Sequence, residues 1–311
     1  MDALVAASLS KTYRGRQRLV RALAGVDLTI SKGQLFGFLG RNGAGKTTFI
    51  KIAAGLLLPT SGSIELFGVD VVSRPREVRE RIAIVPQEGK PFFHLTPREH
   101  VEEYLRVRGA SAESARTRAD EVLKAMGLEN FQRVPSMQLS GGLQQRTLVA
   151  MVLASDAEFL FLDEPTLGMD PFARRQVWDV IRRSVRNGAT VLLTTHYLDE
   201  AEQLTDELAV IEGGRLLYRG TPEALKSKVL REVRLHVETG YSAQELSAYG
   251  EVYPERGGLT VMTTRARAEE LTRAALERGV AVSVGPVTLE EAFLTLVGRS
   301  IEEEDAEAPL P

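Results

Sequence analysis

The sequence contains no cysteine, which excludes disulfide staples, thiolate metal centres and thiol nucleophiles. It also lacks any apolar run near the roughly 20 residues that a membrane-crossing helix needs. The richest stretches, such as AEFLFL at residues 157–162, are strand-sized. The opening segment MDALVAASLSKTYRGRQ carries an acid at its second position and no apolar core leading to a processing site, so it is not expected to act as a signal peptide. Charge of one sign is missing too. The 39 Lys and Arg against 42 Asp and Glu leave a formal net charge of −3, and hence no general basic field to attract nucleic acid. If such a chain works at a membrane, a partner must hold it there.

What is present fits an ordinary globular protein: 311 residues, 43% hydrophobic and 26% charged, enough for one large and one smaller domain. LVAASLSKTY, LAGVDLTI, LFGFLG, SGSIELFGVDV and RIAIVP read as strands. From Thr96 to about Val152 the pattern turns helical, opening on Thr-Pro with an acid three places on. A further helix is expected from Ser140. Buried strands return at AEFLFLDEP and ATVLLTTH, separated by the helical PFARRQVWDVIRRSVRNG. This alternation predicts an α/β fold with a largely parallel sheet. Residues 1–225 are expected to form the main domain, with a helical subdomain at about 90–152. Residues 226–298 are expected to form a small α+β domain, ferredoxin-like in pattern. There REVRLHVE, GLTVMTT and VAVSVG are strands, and TLEEAFLTLVG is a short amphipathic helix. The acidic, proline-containing residues 299–311 read as a solvated, flexible tail.

The most specific local signal is Gly40-Arg41-Asn42-Gly43-Ala44-Gly45-Lys46-Thr47, followed by Thr48, between a predicted strand and helix. Glycines let the backbone turn tightly and aim amides at phosphate oxygens, and the helix start adds its positive dipole end. Lys46 can reach the terminal phosphates, and the Thr47 hydroxyl can coordinate Mg²⁺. ATP or GTP binding follows. Phe159-Leu160-Phe161-Leu162 leads into Asp163-Glu164, which places two carboxylates at a strand end, where ligands gather in parallel sheets. Asp163 could hold Mg²⁺ through water, and Glu164 could polarise the attacking water. His196 follows another buried strand. Alone, such a histidine is ordinarily structural; beside Asp163 it would face the same phosphates. His94, His100 and His236 form no ligand-spaced cluster and read as surface or locally hydrogen-bonded residues.

The order of these motifs resembles the ATP-binding-cassette (ABC) transporter ATPase family, over about residues 3 to 220. Leu139-Ser140-Gly141-Gly142-Leu143-Gln144-Gln145 is similar to that family's signature sequence. The resemblance implies a phosphate-loop nucleoside triphosphatase core with a helical signature subdomain. It further implies that Tyr13 stacks on adenine, that Gln87 touches Mg²⁺ and senses the γ-phosphate, and that His196 contacts that phosphate and orders the water. Ser140, Gly141, Gly142 and Leu143 would form a second phosphate-binding face, opposite the phosphate loop of another subunit. Asp170, in Leu167-Gly168-Met169-Asp170, would lie in the dimer-contact loop. Leu143 stands where the family commonly has glutamine and Met169 where leucine is frequent, mild departures beside retained polar and glycine positions.

By the same resemblance the chain is a Mg-dependent ATPase that works as a homodimer around two ATP molecules. It powers a separate integral-membrane permease and sits peripherally on the cytoplasmic side of the cell membrane. The distal Val287–Leu294 segment resembles that of the bacterial multidrug, antibiotic and lipid exporter (ABC-2 type) group. Glu88, Phe92 and Phe93 are candidate permease contacts, with packing in the local core as the equal alternative. Cargo choice belongs to other subunits. The competing expectation is a soluble family member acting on ribosomes or DNA. Tandem ATPase modules and long coiled-coil or zinc insertions, which such proteins carry, are absent, and a nucleic-acid partner is not expected.

Overall fold

The computed structural model describes residues 1–14, 19–229, 233–238, 240–255, 257–285 and 287–307. Two units divide at Gly220–Thr221. In chain order the first runs β1 (Asp2–Arg14), β2 (Leu19–Ser31), β3 (Leu35–Leu39), α1 (Lys46–Ala53), β4 (Ser61–Leu66), β5 (Val69–Asp70), α2 (Pro75–Arg81) and β6 (Ile82–Val85). The helical stretch follows as α3 (Pro97–Val107), α4 (Ala112–Ala125) and α5 (Gly141–Leu153). The remainder is β7 (Phe159–Asp163), α6 (Pro171–Arg186), β8 (Thr190–Thr194), α7 (Leu198–Leu204), β9 (Glu207–Glu212) and β10 (Arg215–Gly220).

Strands that are apolar at every position can be stable only where both faces are covered. LFGFL, FLFLD and TVLLT are buried throughout, and they occupy the middle of a six-stranded sheet ordered β10-β9-β3-β8-β7-β6. All its pairings are parallel except that of β10 with β9. Successive side chains point to opposite faces. Phe36, Phe38, Phe159 and Phe161 therefore join one core with β1, β2, β4 and α1. Leu160, Leu162, Val191 and Leu193 turn to the other face, against apolar positions of α3 to α6. Each fully buried large apolar side chain contributes about 1.5–3 kcal/mol. Phe38 meets Phe49 of α1 at 4.9 Å between ring centroids, which clamps the helix following the phosphate loop onto the sheet. A second, antiparallel sheet, β2-β1-β4-β5, covers that side.

Helix starts follow side-chain capping. Thr96 and Glu99 form a reciprocal capping box at α3, and Ser111, Ser140 and Asp170 cap α4, α5 and α6.

The second unit contains α8 (Pro222–Val229), β11 (Val233–Glu238), α9 (Ala243–Leu246), β12 (Glu251–Glu255), β13 (Gly258–Thr263), α10 (Arg265–Glu277), β14 (Val282–Gly285) and α11 (Leu289–Glu307). Its antiparallel sheet has the order β12-β13-β11-β14, the ferredoxin-like arrangement of a βαββαβ chain. Leu235, Val237, Leu246, Val261, Ala268 and Leu271 form its core.

Three differences from the sequence reading have physical causes. The boundary lies at Gly220–Thr221 rather than near 225, because α8 is one helix that a boundary at 225 would cut. The tail expected from residue 299 is instead helical through Glu307. Its Glu and Ala residues are good helix formers with no glycine or proline before Pro309; residues 308–311 lie outside the described residues. Strand β12 escaped notice because Pro254 interrupts it; it sits at the sheet edge, where a missing amide removes no central ladder bond.

Glu245 closes the capping box of α9 with Ser242 and accepts from Arg278 Nη1 at 3.0 Å. Its carboxyl is pushed from 4.5 down to about 2, first by the Ser242 amide and then by Arg278. A folded value below the ordinary one means that this stabilisation is fully present above about pH 4.5 and is lost as pH falls through about 2. Glu245→Gln should therefore lower the unfolding midpoint at neutral pH, with the gap to the native protein closing in acid. Thermal unfolding followed by circular dichroism across that range checks this.

Candidate nucleotide site

The site is built at the carboxyl ends of β3, β7 and β8, adjacent in the order β3-β8-β7. From β3 the chain enters the glycine loop. A Cβ on Gly40 would lie 2.3 Å from the Ile211 carbonyl oxygen, and one on Gly45 only 2.4 Å from that of Ala22. Gly45 also has φ +114°, a conformation open to glycine alone at low cost. Helix α1 starts immediately afterwards, so its first amides face the loop. The buried Lys46 extends its ammonium back along this loop, donating to Gly40 O at 2.7 Å and Arg41 O at 3.1 Å. Burial lowers its pKa, while Glu164, Asp163 and Glu212 oppose that shift.

Strand register brings the acidic pair and the histidine together. β7 and β8 pair with Asp163 opposite Thr194. The Thr194 hydroxyl donates to Asp163 Oδ1 at 2.5 Å and accepts from the Glu164 amide at 3.3 Å. The other oxygen, Asp163 Oδ2, accepts from Thr47 Oγ1 at 3.0 Å, with Gln87 Oε1 3.4 Å from the same hydroxyl. Two residues beyond Thr194, His196 places Nδ1 2.7 Å from Glu164 Oε2 and donates its amide to the same oxygen at 3.2 Å. Asn42, Gly43, Gly45, Lys46, Thr47, Thr48, Gln87, Asp163 and Glu164 line one cavity of about 210 Å³. Arg41 is exposed at the loop's outer side, and Ala44 is buried beneath it.

Glu164 has φ +54°. A side chain in the left-handed region costs of order 1–3 kcal/mol, and here the local bonds offset it. The Glu164 amide donates to Thr194 O at 3.1 Å. Its carbonyl accepts from Gln145 Nε2 at 3.4 Å, a link from the signature helix that reading the motif alone did not suggest.

The structure does not bring every candidate to this cavity. Ser140, Gly141, Gly142 and Leu143 line a separate hollow of about 600 Å³ with Leu167, Gly168, Met169 and Asp170. Ser140 caps α5 by accepting from the Leu143 amide at 3.4 Å. Asp170 caps α6 through Ala173, and that amide lowers its pKa. A Cβ on Gly142 would lie 2.9 Å from Gly168 O, so the two loops approach closely. Tyr13 is 39% exposed, its hydroxyl 3.4 Å from Thr48 Oγ1 and its ring beneath Lys11 Nζ at 5.3 Å from the centroid. Phe92 and Phe93 are 74% and 57% exposed, which excludes packing in the local core; Glu88 is exposed nearby. His100 is buried, and of its two expected settings it takes the locally hydrogen-bonded one. Its Nδ1 faces Thr96 O at 2.9 Å and its Nε2 accepts from the Phe92 amide at 2.8 Å. Burial holds its pKa down, matching the neutral tautomer that this pair of bonds requires.

A parallel sheet with a glycine loop, a buried lysine and an acidic strand end beside a histidine defines a phosphate-loop ATPase. The family model for ABC transporters matches residues 23–167. The daunorubicin/doxorubicin resistance ATP-binding protein DrrA of Streptomyces peucetius is 39% identical, covering 98% of this chain and 95% of that protein. Nod factor export ATP-binding protein I of Burkholderia orbicola is 37% identical over 90% of this chain and 93% of its own. Among solved structures, a dimeric ATP-binding cassette in a post-hydrolysis state with ADP and phosphate superposes with a TM-score of 0.65. That structure is 27% identical and covers 70% of this chain and 98% of its own. The chain belongs to the ABC transporter family, as one of its ATP-hydrolysing components. Among the described residues no helix is long and apolar enough to cross a membrane.

Gly45→Ala should weaken ATP binding by roughly 100-fold or more, about 2.7 kcal/mol, because both the clash and the positive φ oppose the loop conformation. Calorimetric titration with ATP measures it.

Proposed function

We propose that this chain is the ATP-hydrolysing subunit of an exporter, acting as a homodimer bound peripherally, through a membrane permease, to the cytoplasmic side of the membrane. The observation that carries the catalytic part is the Glu164–His196 pair, 2.7 Å apart beside the phosphate cavity. With Glu164 ionised, Nδ1 of His196 carries the proton of that bond. Nε2 is left toward solvent, where it meets the γ-phosphate or the attacking water. Glu164 then orients or deprotonates the water for in-line attack, and Lys46 with the loop amides stabilises charge on the phosphoryl oxygens.

The donor set fits Mg²⁺. Thr47 Oγ1, Asp163 and Gln87 Oε1 supply hard oxygens close together, the kind of donor that would hold this ion. Among the described residues no group of three or more His, Asp or Glu could hold a metal by itself, which suits an ion carried largely by the nucleotide. Mg²⁺ held by these residues would neutralise charge on the phosphate oxygens.

The signature hollow lies apart from the phosphate cavity in one chain. Ser140 and the open Gly141 are therefore available to a nucleotide on a second copy, whose own Ser140 face would close the first. Tyr13 would receive the adenine. The exposed Phe92 and Phe93, with Glu88, offer an apolar surface for the permease. Export is supported by the near full-length likeness to antibiotic-resistance and Nod factor export ATP-binding proteins, which also weighs against an ATPase acting on ribosomes or DNA.

Glu164→Gln should lower ATP turnover by about 10²–10⁴-fold while ATP still binds, and ATP with Mg²⁺ should then hold the variant as a dimer in size-exclusion chromatography. Unchanged turnover would defeat the catalytic assignment. Purification from detergent-solubilised membranes should recover a multi-spanning protein, and Phe92→Ala should lose that partner while remaining folded.

A further inference from the structure

A buried carboxyl outside the phosphate cavity links the two loops that present Glu164 and His196. Glu200, on α7, is 0% exposed. Its Oε1 accepts from Trp178 Nε1 at 2.7 Å and from Thr166 Oγ1 at 3.0 Å, with Oε2 3.2 Å from the same hydroxyl. Its own amide donates to Tyr197 O at 3.1 Å. Thr166 lies two residues beyond Glu164, and Tyr197 immediately follows His196. The link is tightened by Leu167 N donating to Glu164 O at 3.3 Å and by Tyr197 N donating to Thr195 Oγ1 at 3.0 Å. Trp178, on α6, anchors the cluster to the rigid scaffold.

Packing alone does not account for this residue. Removing a carboxyl from water is costly, and an apolar side chain of similar volume would fill the space at lower cost. A group with several acceptor sites can satisfy both an indole N–H and a hydroxyl arriving from two different segments. Burial raises the pKa of Glu200, and the nearby Glu164 adds to that shift.

We propose that Glu200 is a positioning residue for hydrolysis, fastening the Thr166 loop to the His196–Tyr197 turn at the start of α7 so that Glu164 and His196 keep their spacing. It touches neither the nucleotide nor the reacting atoms. The assignment rests on the reading of Glu164 and His196 as the groups that handle the attacking water. Truncating it should loosen the pair that acts in the transition state and leave ground-state binding of ATP, made by Lys46 and the glycine loop, largely intact.

The test measures kcat and KM for ATP, per folded protein, on the full chain carrying Glu200→Ala, Glu200→Gln or Thr166→Val, with Glu164→Gln as reference. Expected are a fall in kcat of about tenfold or more for Glu200→Ala at a KM within about threefold of native, and substantial recovery in Glu200→Gln. The amide oxygen of glutamine still accepts from Trp178 and Thr166. Trp178 is the only tryptophan, so its emission reports directly on the cluster and should shift in Glu200→Ala but little in Glu200→Gln. If Glu200→Ala fails to fold, Thr166→Val should still lower kcat severalfold at unchanged KM. Native kcat in every folded variant, with Glu164→Gln inactive, overturns the role of Glu200 alone. Full activity of Glu164→Gln removes the catalytic reading beneath it and the proposal with it.

Discussion

The site depends on one register: Asp163 at the end of β7 opposite Thr194 at the end of β8. A slip of one residue in a parallel pair would turn every side chain of that strand to the other face. It would send Phe159 and Phe161 into the helical side and carry Asp163 away from Thr47. The register is held by burial on both faces, far more than by any polar contact. The bond from Thr194 to Asp163 Oδ1 then converts a hydrophobic alignment into a chemical one. It leaves Oδ2 aimed at Thr47.

Strain and burial are concentrated just beyond that register. Glu164 occupies the left-handed region that most side chains avoid, held there by its amide donating to Thr194 O and its carbonyl accepting from the Gln145 side chain. Such a conformation persists only where the surroundings over-determine it. The phosphate loop shows the same economy of space, since neither Gly40 nor Gly45 can carry a Cβ without meeting a carbonyl oxygen. Nucleotide binding is therefore prepared by backbone shape, and side chains add charge at a few points.

The phosphate loop was legible because its chemistry is contiguous and its glycines serve the backbone directly. The all-apolar strands and the capping serine and threonine residues were legible for the same local reason. His196 was a different case. Its value depends on which strand lies beside β8, and only pairing supplies that. Glu200 left no trace in the residue pattern, since LDEAEQL offers neighbouring acids that look alike and only the fold decides which is buried among donors. Likewise, the paired phenylalanines at 92 and 93 read equally as core or surface until their exposure was known. The helix through Glu307 was hidden by charge, which suggested solvation while the same residues favour helix.

Strand β12 has a consequence for how the second unit behaves in a crowded solution. An open sheet edge offers unpaired amides and carbonyls to any passing strand, a route to misassembly. Here the edge is only five residues long. Pro254 removes one donor from it, and the exposed Glu251 adds a negative charge, while Glu255 is paired with Arg234. An incoming copy would bring the same charge and the same missing amide. The residue that hid this strand from a sequence reading thus also makes it a poor template, letting the small sheet end without a cover.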